Sequence, residues 1–465
     1  VNYISTRGAS PPVPFDQVML SGLAPDGGLY MPEAWPQLGV DEVHAIATRT
    51  YPEAALQVIK GFAAPAVPLP DLYSAIIAAY GRFESREVTP LAGLGDGLHL
   101  LELFHGPTFA FKDVALQLLG KLMDWGLKRS GKHALIVGAT SGDTGSAAIE
   151  ALRGLANVGV VIMHPHGRTS PIQRRQMTTV LDANVRNIAL EGNFDDCQSI
   201  LKALLGDGEL ATRLNLAAVN SINWARIAPQ IVYYVIAAAK LGAPEREVDF
   251  AVPTGNFGDV FAGYAAQAMG AFKGRLIVAT NENDILYRTL RTGRYEPRGV
   301  VETTSPSMDI QVSSNFERLL FEAAGRDGGE VARLMAGLRD QGHFDLTPGM
   351  RDFIAARFDT ERVTSVDAAT QIAALSLTGG PLLDPHSAIG VIAGHRRRRP
   401  GVPMVCLATA HPGKFPDAVR QATGRNPPIP ARLAALETME ERYDVLPNGT
   451  QAVRAYIEAF AKDQT

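Results

Sequence analysis

Lys132 to Val137 reads as a short strand, Gly138-Ala-Thr-Ser-Gly-Asp-Thr-Gly145 as a polar glycine loop, and Thr144 to Leu155 as a helix. This succession constrains the fold more than any other feature. A chain that returns through a helix can lay its next strand parallel to the last. The rhythm recurs along the chain. Leu98–Phe104 alternates apolar residues as a strand does, and Phe111–Trp125 then reads as a helix packed on one side. Val158–Met163 and Val185–Leu190 read as strands, with helices over Pro171–Thr179 and Phe194–Leu205. Ile227–Leu241 reads as an alanine-rich helix that carries Pro229 in its first turn. Asp249–Val252, Arg275–Ala279 and Val402–Leu407 complete the strand pattern, with a helix over Gly258–Ala268 between the first two. The fold class is therefore α/β with largely parallel sheets.

The flanks read differently. Residues 1–90 read as helical after a loop-like start, with an amphipathic pattern from Val43 to Ile59, broken near Gly61, and a short helix over Leu72–Tyr80. Residues 290–370 mix loops and helices, and residues 430–465 read as a terminal appendage.

Composition narrows the class. The 465 residues are 46% hydrophobic and 20% charged, which suits a globular chain with a substantial core. A formal net charge of -4 gives no reason to expect a nucleic-acid partner. The one dense basic run, Arg396-Arg-Arg-Arg399, reads as a solvated turn, with a surface patch for an anion or partner as the alternative. Cys197 and Cys406 form neither a disulfide framework nor a metal spacing, so no metal is expected. No apolar stretch reaches membrane-span length and the first residues lack the form of a signal peptide, so the expectation is a cytoplasmic protein without a membrane partner.

Lys112 is the unusual cation. It stands in His105-Gly-Pro-Thr-Phe-Ala-Phe-Lys112-Asp113 among apolar neighbours. Such neighbours disfavour the charged amine, as a lysine that must bond a carbonyl requires. Asp113 is placed to hydrogen-bond nearby backbone. Taken alone, the same lysine also reads as a snorkelling surface residue. Two loops bear on the choice. In the first, Ser141, Asp143 and Thr144 offer polar groups, Gly142 and Gly145 permit tight turns, and the following helix offers free backbone N–H groups to an anion. In the second, Gly255-Asn256-Phe257-Gly258 follows a strand and opens a helix, so its amides can converge on a phosphate. Each loop also reads as a plain capped turn. Neither is a dinucleotide fingerprint or a nucleotide phosphate loop. One candidate amine with two anion loops suggests a pyridoxal-phosphate enzyme.

These segments resemble bacterial and fungal threonine synthases, and the resemblance runs from the first residues to the C-terminal region. It rests on His105–Asp113, Ser141-Gly-Asp-Thr-Gly145, Gly255–Gly258 and Ala408-Thr-Ala-His-Pro-Gly-Lys414. Ser305-Pro-Ser-Met-Asp309, Ser314-Asn-Phe-Glu-Arg318, Ser5-Thr-Arg-Gly8 and Gly27-Gly-Leu-Tyr30 also fit. The resemblance implies a tryptophan-synthase-like pyridoxal-phosphate fold of fold type II. Its expected parts are an N-terminal helical domain over 1–90 and a large cofactor-binding domain from 91–135 and 215–430, with an insertion around 290–370. A small substrate-side α/β domain over 136–214 and a C-terminal appendage over 431–465 complete the scheme.

The resemblance also implies roles. Lys112 is the Schiff-base lysine, Gly255, Asn256, Phe257 and Gly258 form the phosphate loop of pyridoxal 5'-phosphate, and Thr409 stands near the pyridine nitrogen. Ser141, Gly142, Asp143 and Thr144 hold the substrate α-carboxylate. Lys414 is the expected ligand of the substrate phosphate, with Arg168 and Lys273 behind it, and Asp309 and Arg318 line the substrate side. His386 and His411 each carry two readings, a site role or a loop-structuring one. The implied reaction turns O-phospho-L-homoserine and water into L-threonine and inorganic phosphate, by a monomer. The plant enzymes' long N-terminal extension is missing, which implies no activation by S-adenosylmethionine. The alternatives are a related lyase such as threonine dehydratase, and a catalytically silent homologue that binds phosphorylated metabolites.

Overall fold

A computed structural model describes residues 1–218 and 220–463. Two parallel sheets form its frame. The larger has six strands in the order Phe358–Arg362, Leu276–Thr280, Asp249–Pro253, Met404–Ala408, Leu98–Glu102 and Leu91–Gly95. Every neighbouring pair is parallel except the last, a hairpin at the edge. The smaller has five parallel strands in the order Asp444–Pro447, Val185–Glu191, Val158–Pro165, Ala134–Ala139 and Leu216–Ala218. The strand–helix rhythm of the sequence thus yields the expected α/β architecture.

Several elements differ from the sequence reading, each for a local reason. The N-terminus begins with a three-stranded antiparallel sheet of Val13–Pro14, Asn2–Ser5 and Tyr30–Pro32, not with a loop. Its strands are too short for a period-two pattern to stand out. The pattern over Val43–Ile59 resolves into two helices, Val40–Ile46 and Tyr51–Ala63. Thr50 and Glu53 form a capping box that restarts the chain, and Gly61 falls inside the second helix. The helix expected from Ile227 begins at Trp224, where the Asn223 side chain accepts the Ala225 N–H at 2.8 Å. Pro229 therefore sits in the second turn rather than the first. Phe358–Arg362, unassigned in the irregular 290–370 stretch, forms the outer strand of the large sheet.

Residues 431–465 do not stand apart. Asp444–Pro447 extends the small sheet beside Val185–Glu191. In the helix Thr450–Asp463, Val453, Ile457 and Phe460 are buried with Cys197 and Leu201 of Phe194–Gly206. The arginine run is not merely solvated either. Arg396 and Arg397 pair with Glu361, Arg398 lies 4.0 Å from Asp96, and Arg399 grips Asp249 at 2.6 Å. Among the described residues no helix is long and apolar enough to cross a membrane.

The helix Trp224–Lys240 is the core's axis, buried along nearly its whole length. Trp224 packs 5.9 Å from Tyr3 and 5.6 Å from Phe62, ring centre to ring centre, joining the N-terminal layer to the helix that enters the site. Such aromatic contacts contribute about 0.5–1.5 kcal/mol each beyond the area they bury. The loops that follow Pro253, Ala408 and Glu102 in the large sheet and Ala139 in the small one meet between the sheets. That is the strand end where parallel α/β sheets open a crevice.

Candidate active site

Lys112 is held by its own loop. Asp113 accepts the Thr108 N–H at 2.7 Å and the Thr108 hydroxyl at 2.8 Å, which closes the turn before the helix Lys112–Ser130. Burial pushes the Asp113 carboxyl up to about 6 against those two hydrogen bonds. The Phe111 N–H donates to the Thr409 carbonyl at 2.8 Å, and the His411 N–H to the Phe109 carbonyl at 3.1 Å. The lysine segment and the Thr409 segment are thereby stitched together. Lys112 is 8% exposed, its Nζ 5.6 Å from the centre of the Phe111 ring. The amine donates to Ser307 Oγ at 3.2 Å and lies 3.6 Å from Asp143 Oδ2. Burial lowers its pKa, Asp143 opposes that shift, and the cations Lys414 and Arg226 reinforce it.

Asp143 opens the helix that follows the small-sheet loop. Gly142 before it has φ 149°, and a Cβ there would lie 2.6 Å from the Gln173 side chain, so only glycine fits. The carboxylate lies 2.6 Å from Lys414 Nζ and accepts from Gln173 Nε2 at 2.9 Å. Burial raises its pKa, but Lys414, Lys112 and these hydrogen bonds more than reverse that and hold it far below the usual range. Thr144 lines the cavity half-buried, and Ser141 is exposed at the loop's tip.

The second loop presents an anion cradle. Phe257 adopts φ 65° and caps the helix Gly258–Ala268. Among the described residues the amides of Gly255, Asn256, Phe257 and Gly258 find no acceptor. A Cβ on Gly255 would lie 2.6 Å from the Ser307 carbonyl oxygen, so the loop is pressed against the Ser307 turn. Arg226 lines the same cavity from the first turn of the core helix. It is 5% exposed, and among the described residues its Nε and Nη1 have no partner. Burial pushes this uncompensated guanidinium down to about 10. Free amides at a helix N-terminus and a buried unpaired guanidinium both call for an anion.

The cavity between these loops is lined by Lys112, Asp143, Arg226, Gly255–Asp259, Ser307, His386 and Thr409. A larger cleft lies elsewhere, between Arg7, Leu23 and the helix around Met335. It lacks Lys112 and both anion loops, so the chemistry belongs to the smaller one.

Other residues singled out in the sequence fall outside. Lys414 is fully buried behind Asp143, where it also donates to the Thr108 carbonyl at 2.9 Å. Arg318 is fully buried, donating to the carbonyls of Tyr30 and Ile222 and to Asn315, so its guanidinium is already occupied. Asp309 accepts from Asn281, Asn283 and Thr303 and organises its own loop. Lys273 is exposed and precedes the strand Leu276–Thr280, at the strand end opposite the cavity. Arg168 is exposed on the loop after Val158–Pro165, on the same edge of the small sheet as Ser141. His411 accepts the Gly413 N–H at 3.0 Å and shapes its turn. Arg226 and Ser307 were not singled out. The signal for Arg226 was a lone arginine on a helix otherwise free of charge until Lys240.

Comparison with known proteins decides the family. The profile described as "Threonine synthase N terminus" matches residues 2–80, "Pyridoxal-phosphate dependent enzyme" matches 83–409 and "Threonine synthase, C-terminal" matches 387–457. The chain is 50% identical to a threonine synthase of Pseudomonas aeruginosa over 98% of each chain. The chain belongs to the threonine synthase family. A crystal structure of threonine synthase from Brucella melitensis with pyridoxal phosphate bound superposes with a TM-score of 0.96, at 50% identity over 99% of both chains. The yeast threonine synthase structure superposes at 0.94 with 40% identity, again over 99% of both. The cofactor of this threonine synthase family member is pyridoxal 5'-phosphate. The residues present fit it: an amine whose pKa burial lowers, a cradle of free amides with an unpaired guanidinium, and Thr409 at the end of the strand beside the loop's own.

Proposed function

We propose that the cavity binds O-phospho-L-homoserine and returns L-threonine and inorganic phosphate, with Lys112 as the group that moves the protons. The observation that carries this reading is the placement of one buried, low-pKa amine and one uncompensated guanidinium on the same cavity. Gly255, Asn256, Phe257, Gly258 and Arg226 would hold the cofactor phosphate, and Thr409 would serve the pyridine nitrogen. A neutral hydroxyl there leaves that nitrogen without a carboxylate to keep it protonated. Ser141, Gly142, Asp143 and Thr144 take the substrate α-carboxylate on the helix N-terminus. Lys414, committed to Asp143, acts by fixing that loop, and Arg168 is the exposed cation on the same edge for the substrate phosphate.

When bound, pyridoxal phosphate supplies an electron sink for negative charge at the substrate α-carbon. Lys112 takes the α-proton, for which it must be a neutral amine, and its burial favours that form. It is also the candidate to take a β-proton before phosphate leaves from the γ-carbon, and to return protons to the γ-carbon and the α-carbon as water adds at the β-carbon. Asp143, 3.6 Å away, steadies the ammonium that results. The apolar wall from Phe111 keeps water from the amine.

The test is a product assay. The holoenzyme given O-phospho-L-homoserine should release L-threonine and inorganic phosphate in equal amounts, and Lys112→Ala should release neither. Phosphate with 2-oxobutyrate in place of threonine would overturn the reading in favour of an elimination enzyme.

A further inference from the structure

We propose that the Ser307 hydroxyl is the resting place of the Lys112 amine whenever that amine is free, and that the buried Asp384–His386 pair positions Ser307 for this task. The inference rests on Lys112 being the lysine that carries the cofactor. A lysine that leaves a carbon and returns to it swings on four flexible bonds, and an unheld amine would lose much of its orientation. Asp143 is 3.6 Å from Nζ and attracts the ammonium without a close hydrogen bond, whereas Ser307 Oγ accepts from Nζ at 3.2 Å. A neutral hydroxyl holds the amine without demanding that it be charged.

Ser307 is itself unusually constrained. Its N–H donates to His386 Nε2 at 3.3 Å, so the His386 proton resides on Nδ1, which lies 2.7 Å from Asp384 Oδ2. Asp384 is fully buried. Beyond His386 Nδ1, it accepts the His386 and Ser387 N–H groups, each at 3.0 Å, and the Ser387 hydroxyl. That hydroxyl accepts the Thr409 N–H at 3.0 Å. On its other side, the Ser307 carbonyl lies against Gly255, where a Cβ would come within 2.6 Å. One carboxylate thus ties together the turn that holds the amine and the strand end that carries Thr409. A simple N-cap needs Asp384 and its two amide donors. It does not need an imidazole on the cavity wall whose far nitrogen grips the turn beneath Lys112.

The test compares Ser307→Ala with the near-isosteric pair Ser307→Thr and Ser307→Val, and with His386→Leu and the Ser307→Ala/His386→Leu double variant. Two readouts apply: the kcat-against-KM split of the holoenzyme, and the rate at which each apoprotein captures added pyridoxal phosphate, followed by absorbance. Ser307→Ala and Ser307→Val should lose roughly tenfold in kcat and in capture rate, with KM little changed, and Ser307→Thr should retain both. His386→Leu should fall in the same direction, and the double variant should be no worse than Ser307→Ala alone. Wild-type capture and kcat in both Ser307→Val and Ser307→Ala, or single losses that multiply in the double variant, would overturn the proposal. A Lys112→Ala protein that still formed the bound-cofactor band would instead overturn the assignment of Lys112, so the two failures are distinct.

Discussion

Asp143 and Lys414 form an ion pair with 2.6 Å between Oδ1 and Nζ, the lysine side chain fully buried and the aspartate's 5% exposed. The pair sits behind the Lys112 amine rather than in front of it, because Asp143 turns its other oxygen toward Lys112. One carboxylate therefore neutralises two buried cations.

Removing Lys414 leaves Asp143 buried with only the more distant Lys112 as a cation. Lys414→Met should cost about 3–5 kcal/mol of stability at neutral pH, measured by denaturant unfolding. The pH dependence has a definite sign. The folded Asp143 pKa lies well below its unfolded value, so its contribution is present above about pH 4 and is lost as pH falls toward the folded value. The wild-type and Lys414→Met stabilities should converge in acid.

In its proposed role as base Lys112 works only when neutral, so the acid limb of the pH–rate profile should follow its pKa. Burial lowers that pKa and Asp143 raises it back, so Asp143→Asn should move the acid limb of kcat to lower pH. A limb that moves to higher pH would contradict the electrostatic role assigned to Asp143.

Arg226 has a double signature. In the apoprotein it is a buried charge without a partner, so Arg226→Met should leave apoprotein stability unchanged or raised in thermal unfolding. In the holoenzyme it would lose a charge-assisted contact to phosphate, weakening pyridoxal phosphate by about ten- to a hundredfold in an absorbance titration.

Much of this was legible in the sequence. Apolar runs marked the inner strands of both sheets, such as Val158–Pro165, but not the edge strands Leu91–Gly95, Phe358–Arg362, Leu216–Ala218 and Asp444–Pro447. Lys112 and both glycine loops were visible because each combines residue types that packing alone does not select. What stayed hidden was set by distant partners. Arg318 and Asp309 resemble site residues in their motifs, yet the carbonyls of Tyr30 and Ile222 and the amides of Asn281 and Asn283 occupy them. Nothing local announces those contacts. Ser307 reaches Lys112 across 195 positions of sequence, and Asp444–Pro447 joins a sheet whose other strands end more than 200 residues earlier. Such pairings follow from topology, not from the segment's own pattern.

The most direct test of the account is to locate the amine that binds the cofactor. The holoenzyme would be reduced with borohydride, digested, and its pyridoxyl-bearing peptide sequenced by mass spectrometry. The label is expected on Lys112, within His105–Asp113. A label on Lys414 or any other lysine, with Lys112 unmodified, would contradict it.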